Sequence, residues 1–412
     1  MPDSVTKKSI RAHTAHFSIL LFLALALMAA LLNSSAPTPL YPLYQHQLGL
    51  TAVSLTIIYG AYAAGVLISL FGVGNMAGKV RDLRSMILPA LFMVFCGALL
   101  FAIADSFQWL FLARLLAGIG TGALTGAANI ALLRFGPRDN GKAAALIATL
   151  SFTFGLALGP IFSGIALQTG FHTTSLAFMF IMAMSLIAAL GIIFTWPRAA
   201  IANPREQTED GLKPANSSLL AGLQATGKNF FLCAMALFMC WAIASSILAV
   251  GPSVSESLLG VHSRGVYGYV IAVYLIIAGI SQILSRKVNA RQALMSGCFA
   301  QVCSLMLFAA SVEWHSVILA CIGMIIGGYA YGAIFVGSAT LVNMISPNAS
   351  HARLLSLFYV IAYVSNWVPV LLGVVIDHAS LLLAVNLLFG CSAVICLALA
   401  LMVVRANFQI AQ

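Results

Sequence analysis

Apolar residues in this chain gather into long unbroken runs, with neither the alternation of a half-buried strand nor the one-sided stripe of a soluble helix. The runs lie near residues 17–36, 53–73, 85–104, 107–135, 142–167 and 175–196, and, after a polar break, near 229–251, 266–285, 292–311, 316–346, 353–376 and 381–404. Each is close to or above the ~20 residues with which a helix crosses roughly 30 Å of hydrocarbon. A backbone in lipid has to bond within its own segment, so these runs predict twelve transmembrane helices. The first run is long and follows a polar tail holding Lys7, Lys8 and Arg11, which reads as a retained first span with no cleaved signal.

Charge placement tests that reading independently. Hydrophobic residues make up 61% of the 412 positions and charged ones 7%, against about a quarter charged in soluble domains. With a cytoplasmic N-terminus, every Lys and Arg except Arg264, which falls outside, and Arg114, which falls within a span, lies on the cytoplasmic side. This is the positive-inside bias, and it predicts two cytoplasmic termini in the cell's inner (cytoplasmic) membrane. The net charge of +10 therefore reflects topology and an anionic leaflet, and nucleic acid is not an expected partner. Asp105, Glu256, Glu313 and Asp377 fall at external helix ends and read as solvated termini. The eight cysteines lie within spans without metal-binding spacing, so they read as small apolar packing residues, and no metal or cofactor is expected.

The chain divides into two halves. Residues 197–228 are rich in Pro, Asn, Glu and Ser and read as a cytoplasmic linker between residues 1–196 and 229–412, each half a six-helix bundle. Tyr59-Gly60 and Lys79-Val80 recur as Tyr267-Gly268 and Lys287-Val288 at a common offset, and Pro160-x-x-x-Gly164 recurs as Pro369-x-x-x-Gly373 one residue further on. Matches at nearly one offset indicate a duplicated unit, and hence an all-α membrane fold of two pseudo-symmetric bundles.

Arg114 is the one charged side chain well inside a span. A guanidinium there is costly and normally faces a bundle interior or a wet cavity. It sits in Leu110-x-x-x-Arg114-x-x-x-Gly118-x-Gly120-x-Gly122. The fifth span carries Gly155-x-x-x-Gly159-Pro160-x-x-x-Gly164, and the loop after the second reads Gly74-Asn75-Met76-Ala77-Gly78-Lys79-Val80-Arg81-Asp82-Leu83-Arg84. Glycines four apart (118, 122, 126; 155, 159) put smooth faces on the fourth and fifth spans, and Pro160 removes a backbone donor and bends its helix. On these three patterns the sequence resembles the major facilitator superfamily over nearly its whole length. The fourth-span pattern is similar to a motif of proton-coupled antiporters, and the fifth-span pattern to the antiporter motif of the drug-efflux branch. The loop resembles a degraded form of the superfamily's conformational-switch loop, carried here by Gly74, Gly78, Lys79, Arg81, Asp82 and Arg84. Gly78 stands where the family has an acid, with Asp82 as the candidate replacement.

The resemblance implies an alternating-access transporter, not an enzyme, and no HExxH, GxSxG or P-loop pattern argues otherwise. The expected function is efflux of a small organic solute by proton antiport, by a monomer in the lipid bilayer. Uptake of an organic anion or sugar is the alternative, and a transporter-like sensor a remote one. Candidate substrate contacts are Arg114, Asn33, Asn129, Trp241, Ser245, Tyr331, Tyr363 and Asn366, because polar groups within spans line cavities or seek partners. Arg114 is expected to be a fixed positive charge at a water-filled cavity. No carboxylate lies deep in the bilayer, so coupling through Asp105, through the substrate's own proton, or not at all stay open. Pro37-Thr38-Pro39-Leu40-Tyr41-Pro42-Leu43-Tyr44 reads as an interfacial exit with Tyr at the headgroups.

Overall fold

The computed structural model describes residues 3–74, 82–137, 139, 141–196, 219–261, 263, 265–406 and 408. It places nearly all of them in helices: α1 (Asp3–Ser35), α2 (Tyr41–Leu48), α3 (Ala52–Gly74), α4 (Arg84–Ile103), α5 (Phe107–Phe135), α6 (Lys142–Thr169) and α7 (Leu176–Thr195), then α8 (Leu219–Ser257), α9 (Val266–Ser285), α10 (Ala290–Glu313), α11 (Val317–Ile345), α12 (His351–Val364), α13 (Val368–His378) and α14 (Leu381–Arg405). Among the described residues twelve helical stretches are long and apolar enough to cross a membrane, with α1 from Ser18 and α2 together making one and α12 and α13 another. Large apolar side chains point outward along them, Phe194 at 82% exposure and Val394 at 70%. Such a surface is stable only against lipid. The helices end on local chemistry: Gly170 closes α6 in the left-handed region at φ 69, and the side chains of Ser316 and Ser380 accept from backbone amides in the first turns of α11 and α14.

The chain forms two compact units, Met1–Pro37 with Ala61–Gly211, and Thr38–Gly60 with Leu212–Gln412. In the first, α1 packs on α4, α5, α6 and α7, while α4 packs on α5 and α7. In the second, α8 packs on α11, α12, α13 and α14, while α10 packs on α11 and α14. Apart from α1 on α4, the pairings of the first unit recur in the second, as expected of a duplicated six-helix unit.

Small residues set these contacts. A Cβ on Gly155 would lie 2.7 Å from the Met28 carbonyl oxygen, and one on Gly159 would lie 2.7 Å from that of Leu32, so both glycines seat α6 on α1. Gly118 and Gly122 do the same for α5, against the Tyr62 carbonyl and the Ser69 hydroxyl of α3. Gly126 does not continue that face, because nothing lies within 4 Å of where its Cβ would be. Pro160 is buried in an α6 that runs on through it. Its counterpart Pro369 instead starts α13, after a 3-10 turn at Ser365–Trp367 that separates it from α12. The carbonyl of Ser365, which Pro369 leaves without its usual donor, accepts from the Val368 amide, and side chains of the turn bond back to α12, Ser365 Oγ to Ala362 O at 2.6 Å and Asn366 Nδ2 to Tyr363 O at 3.1 Å.

The stretch read as an interfacial exit is buried. Thr38–Leu40 form one 3-10 turn, α2 follows, and both pack on α8. Tyr41 and Tyr44 are each 2% exposed. Their ring carbons gain more from contact with apolar helices than from a headgroup layer. Of the linker stretch, residues 197–218 lie outside the described residues, whereas 219–226 are helical and meet the rest of α8 at Gly227, φ 55.

The packing argument yields a paired prediction. Gly155→Val should destabilise the protein by about 1–3 kcal/mol through overpacking, whereas Gly126→Ala should stay within about 0.5 kcal/mol of wild type. Thermal unfolding of detergent-purified variants checks this, and equal melting temperatures would contradict it.

Candidate functional site

In the first unit, α5 carries Arg114 into the interior of the bundle, where it is 1% exposed. Its Nη1 donates to the backbone carbonyl of Ser34, near the end of α1, at 2.6 Å. Its guanidinium stands 4.9 Å from the ring centroid of Tyr62 on α3. The side chains of Ser34 and Thr121 lie beside the Tyr62 hydroxyl. Thr121, one heptad beyond Arg114 on α5, also donates to Ala117 O at 2.7 Å. Beside them Asn33 is fully buried and donates to Val94 O of α4 at 3.1 Å. Its Oδ1 is buried and meets no hydrogen-bond donor among the described residues. A carbonyl dipole and a ring face thus stand against the cation and help to solvate it. The expectation was a charge beside water; here the guanidinium is enclosed by protein. Close helix approach makes this possible, since Gly65 and Gly118 let α3 and α5 touch backbone to backbone at the level of Tyr62.

In the second unit two predicted residues, Trp241 and Tyr363, meet beside Phe335, which the sequence did not single out. Trp241 of α8 meets Tyr363 of α12 edge-on at 5.0 Å between ring centroids, and Phe335 of α11 at 6.3 Å, nearly parallel. Tyr331 of α11 packs on Tyr274 of α9 at 6.3 Å. Asn366 lies in the turn between α12 and α13. The Trp241 Nε1 is buried with no acceptor among the described residues. Ser245 is buried, and its hydroxyl donates to Ala242 O of its own helix at 3.0 Å. Asn129 stands apart: it lies fifteen residues beyond Arg114 on the continuous α5, about 22 Å along the axis at 1.5 Å per residue.

Of the loop residues, Gly78, Lys79 and Arg81 lie outside the described residues, and Gly74 ends α3. Asp82 accepts from the Arg84 amide at 3.0 Å and pairs with its guanidinium at 2.6 Å. Arg84 also stands 5.7 Å from the Trp196 ring, which packs edge-on against Phe135 at the end of α5. The hydrogen bonds from Arg84, with Arg134 nearby, hold the Asp82 carboxyl below the usual carboxylate range. In the fifth-span motif Gly155, Gly159, Pro160 and Gly164 are all buried. No group of three or more His, Cys, Asp or Glu able to hold a metal ion occurs among the described residues.

Sequence reasoning missed Tyr62 as a partner of Arg114, because no spacing rule links residues on different helices. Thr121 was within its reach, since a residue seven positions on shares the helix face of Arg114.

Two predictions follow from this geometry. Tyr62→Phe keeps the ring beneath the guanidinium and should cost no more than about 1 kcal/mol. Tyr62→Leu removes the ring as well and should cost about 2 kcal/mol more; equal thermal unfolding of the two variants would sink the ring's role. The lowered Asp82 pKa adds stability that is present above about pH 4 and is lost as pH falls through the folded value. Asp82→Asn should therefore lower the melting temperature slightly at pH 7, by less than about 1 kcal/mol, and a gap undiminished at pH 3 would contradict it.

Comparison with known proteins gives a consistent picture. The profile of the Major Facilitator Superfamily matches residues 23–369. A curated protein from Enterobacter sp. (strain 638), "Putative multidrug resistance protein MdtD", is 24% identical over 156 residues, 38% of this chain and 32% of that protein, so the match spans about a third of the relative's length. Among solved structures, the nucleoside transporter NupG superposes with a TM-score of 0.74 at 15% identity, over 94% of this chain and 100% of the other. A bacterial homolog to the human lysosomal transporter Spinster, in an inward-facing and unoccupied conformation, gives 0.72 at 13% identity over 95% and 97%. A point mutant of the peptide transporter POT, in complex with sulfate, gives 0.74 at 16% identity over 95% and 93%. At these identities the structures speak for the fold, and the profile for the family. Twelve apolar spans in two like-paired units, with the profile matched from the first span to the eleventh, make this chain a multi-pass membrane transporter of the major facilitator superfamily.

Proposed function

We propose that the protein exports a small organic solute from the cytoplasm by proton antiport. It would sit in the cytoplasmic membrane as a monomer with both termini inside, and residues 1–196 would rock against 229–412 around a central site. The observation that carries this reading is Arg114: a buried guanidinium held by the Ser34 carbonyl and the Tyr62 ring, on the helix whose motif is similar to that of proton-coupled antiporters. The partial likeness to a multidrug resistance protein supports efflux. The basic residues gathered on one side support the topology. Arg114, with Asn33 beside it, would face the solute from the first unit when the bundle opens. Trp241, Tyr331, Tyr363 and Asn366 would supply stacking and hydrogen bonds from the second, with Ser245 close by and Asn129 lining the inner mouth. The buried Asn33 Oδ1 and Trp241 Nε1 suit a solute that offers both a donor and an acceptor. Gly155, Gly159, Pro160 and Gly164 would act as the sliding face between α6 and α1, and the Asp82–Arg84 pair as part of the switch loop. A specific feature favours the alternative of organic-anion or sugar uptake: Arg114 is a fixed positive charge, and an anionic or hydrogen-bond-accepting solute suits a guanidinium better than a cationic drug.

The test uses proteoliposomes with an imposed pH gradient. Ethidium, as the probe for drug efflux, should move in exchange for protons, with Arg114→Ala at least tenfold slower and Arg114→Lys intermediate. Transport that ignores the gradient removes proton antiport, and an unchanged Arg114→Ala removes the central-charge role. A thermal-shift screen with organic anions and sugars covers the alternative, because a ligand bound to the folded state raises its apparent stability.

A further inference from the structure

The second unit contains a cavity that the candidate site does not use. It has a volume of about 90 Å³ and lies among α8, α9, α10, α11, α13 and α14, and neither Trp241, Tyr331 nor Tyr363 lines it. Met324, Leu372, Ala384 and Val385 line its buried part, beside the stacked rings of Phe308 and Phe389, 5.6 Å apart between centroids. Elsewhere its lining is more open: Leu259 and Val261 are half-buried and Val317 is 40% exposed. The first two follow the end of α8 and the third begins α11. The cavity therefore opens where these helices leave the hydrocarbon.

The hydroxyls in its buried part are already engaged. Ser246 Oγ donates to Ala242 O at 2.7 Å, Ser311 Oγ to Phe308 O at 2.7 Å and Tyr267 Oη to Ile247 O at 2.6 Å. Each has committed its one proton, so none can donate to a water, and a buried water needs several polar partners. The walls also stand without an occupant. The Phe308–Phe389 stack joins α10 to α14. Gly251 admits the Tyr267 hydroxyl to α8 where a Cβ would collide, and a Cβ on Gly323 would lie 2.9 Å from the Phe308 ring. Side chains around such a preformed gap lack contacts on one side, and an apolar occupant restores them.

We propose that this cavity is a binding site for a small neutral apolar molecule no larger than benzene. An engineered apolar cavity of about 150 Å³ in another protein stays dry and takes up benzene or xenon, and the smaller volume here sets the size limit. A lipid tail is the wrong occupant, because the opening lies at headgroup level and chain ends lie at the bilayer centre. A fatty acid is disfavoured as well: Glu256 and Glu313, both exposed, adjoin the lining residues Ser255 and Val312 and would repel its carboxylate. The site is independent of what the protein transports and in which direction.

Cys321, half-buried on α11, lines the cavity and serves as its reporter, while the exposed Cys303 and Cys391 do not line it. Wild-type protein in lipid nanodiscs is alkylated with N-ethylmaleimide and each cysteine is followed by mass spectrometry. Saturating benzene should slow Cys321 by roughly threefold or more through occupancy of the site, with Cys303 and Cys391 unchanged. Naphthalene enters the bilayer more readily but exceeds the cavity, so it should leave Cys321 near its free rate. Ala384→Leu fills the space and should abolish the benzene effect; Val270→Leu does so from α9 should the first variant fail to fold. An unslowed Cys321 overturns the proposal, as does benzene protection that survives in a folded filling variant. Equal slowing of all three cysteines, or equal protection by naphthalene, would make the effect one of the bilayer and equally overturn it. A Cys321 shielded in nanodiscs and reactive in detergent, whatever the benzene concentration, would place a lipid chain in the cavity and remove the small-molecule site.

Discussion

In lipid, a helix gains nothing hydrophobic by leaving acyl chains for another helix, so a bundle coheres where backbones can touch and polar groups can find each other. This protein meets that constraint with glycine. Gly155 and Gly159 bring α6 onto α1, Gly65 and Gly118 bring α3 onto α5, and Gly373 brings α13 onto the start of α3. Each contact puts a backbone carbonyl or hydroxyl within reach of a neighbouring helix. Everything polar in the interior is built in the gaps these approaches define.

The Arg114 cage is the clearest consequence. A guanidinium in a bundle interior must keep its hydrogen bonds or forfeit several kcal/mol. Here one comes from the Ser34 carbonyl, and the Tyr62 ring covers the face of the cation. Because Tyr62 has Ser34 and Thr121 beside its hydroxyl, the cation, the ring and the end of α1 gather in one polar cluster. A shift of α1 or α3 would change how Arg114 is solvated, which gives helix motion a direct electrostatic effect at the candidate site.

The second unit handles its polar groups differently. Pro369 and the 3-10 turn before it break the eleventh span; the Val368 amide takes the Ser365 carbonyl, and the Ser365 and Asn366 side chains bond back to the last turn of α12. Irregular backbone at membrane depth persists only where protein or a wet cavity surrounds it. Its neighbours are the aromatic residues Trp241, Phe335 and Tyr363. Pro160, the equivalent residue of the first unit, causes no such break. Duplication supplied both prolines, and their surroundings decided which one interrupts its helix.

Helix number, span limits, the duplicated unit and the place of the buried charge were all legible from residues 1–412, because hydropathy and charge act residue by residue. The fourth- and fifth-span glycines were legible as packing residues too, except that Gly126 shows spacing alone cannot say whether a neighbour is present. What the tertiary structure decided lies between segments far apart in sequence. Tyr62 beneath Arg114, the convergence of Trp241 with Tyr363, the burial of Tyr41 and Tyr44, and Asp377 on the start of α3 all depend on which helix faces meet. A one-dimensional pattern determines what can cross the membrane, because that follows from transfer free energy. It leaves open which polar groups find each other across helices, because that depends on three-dimensional packing.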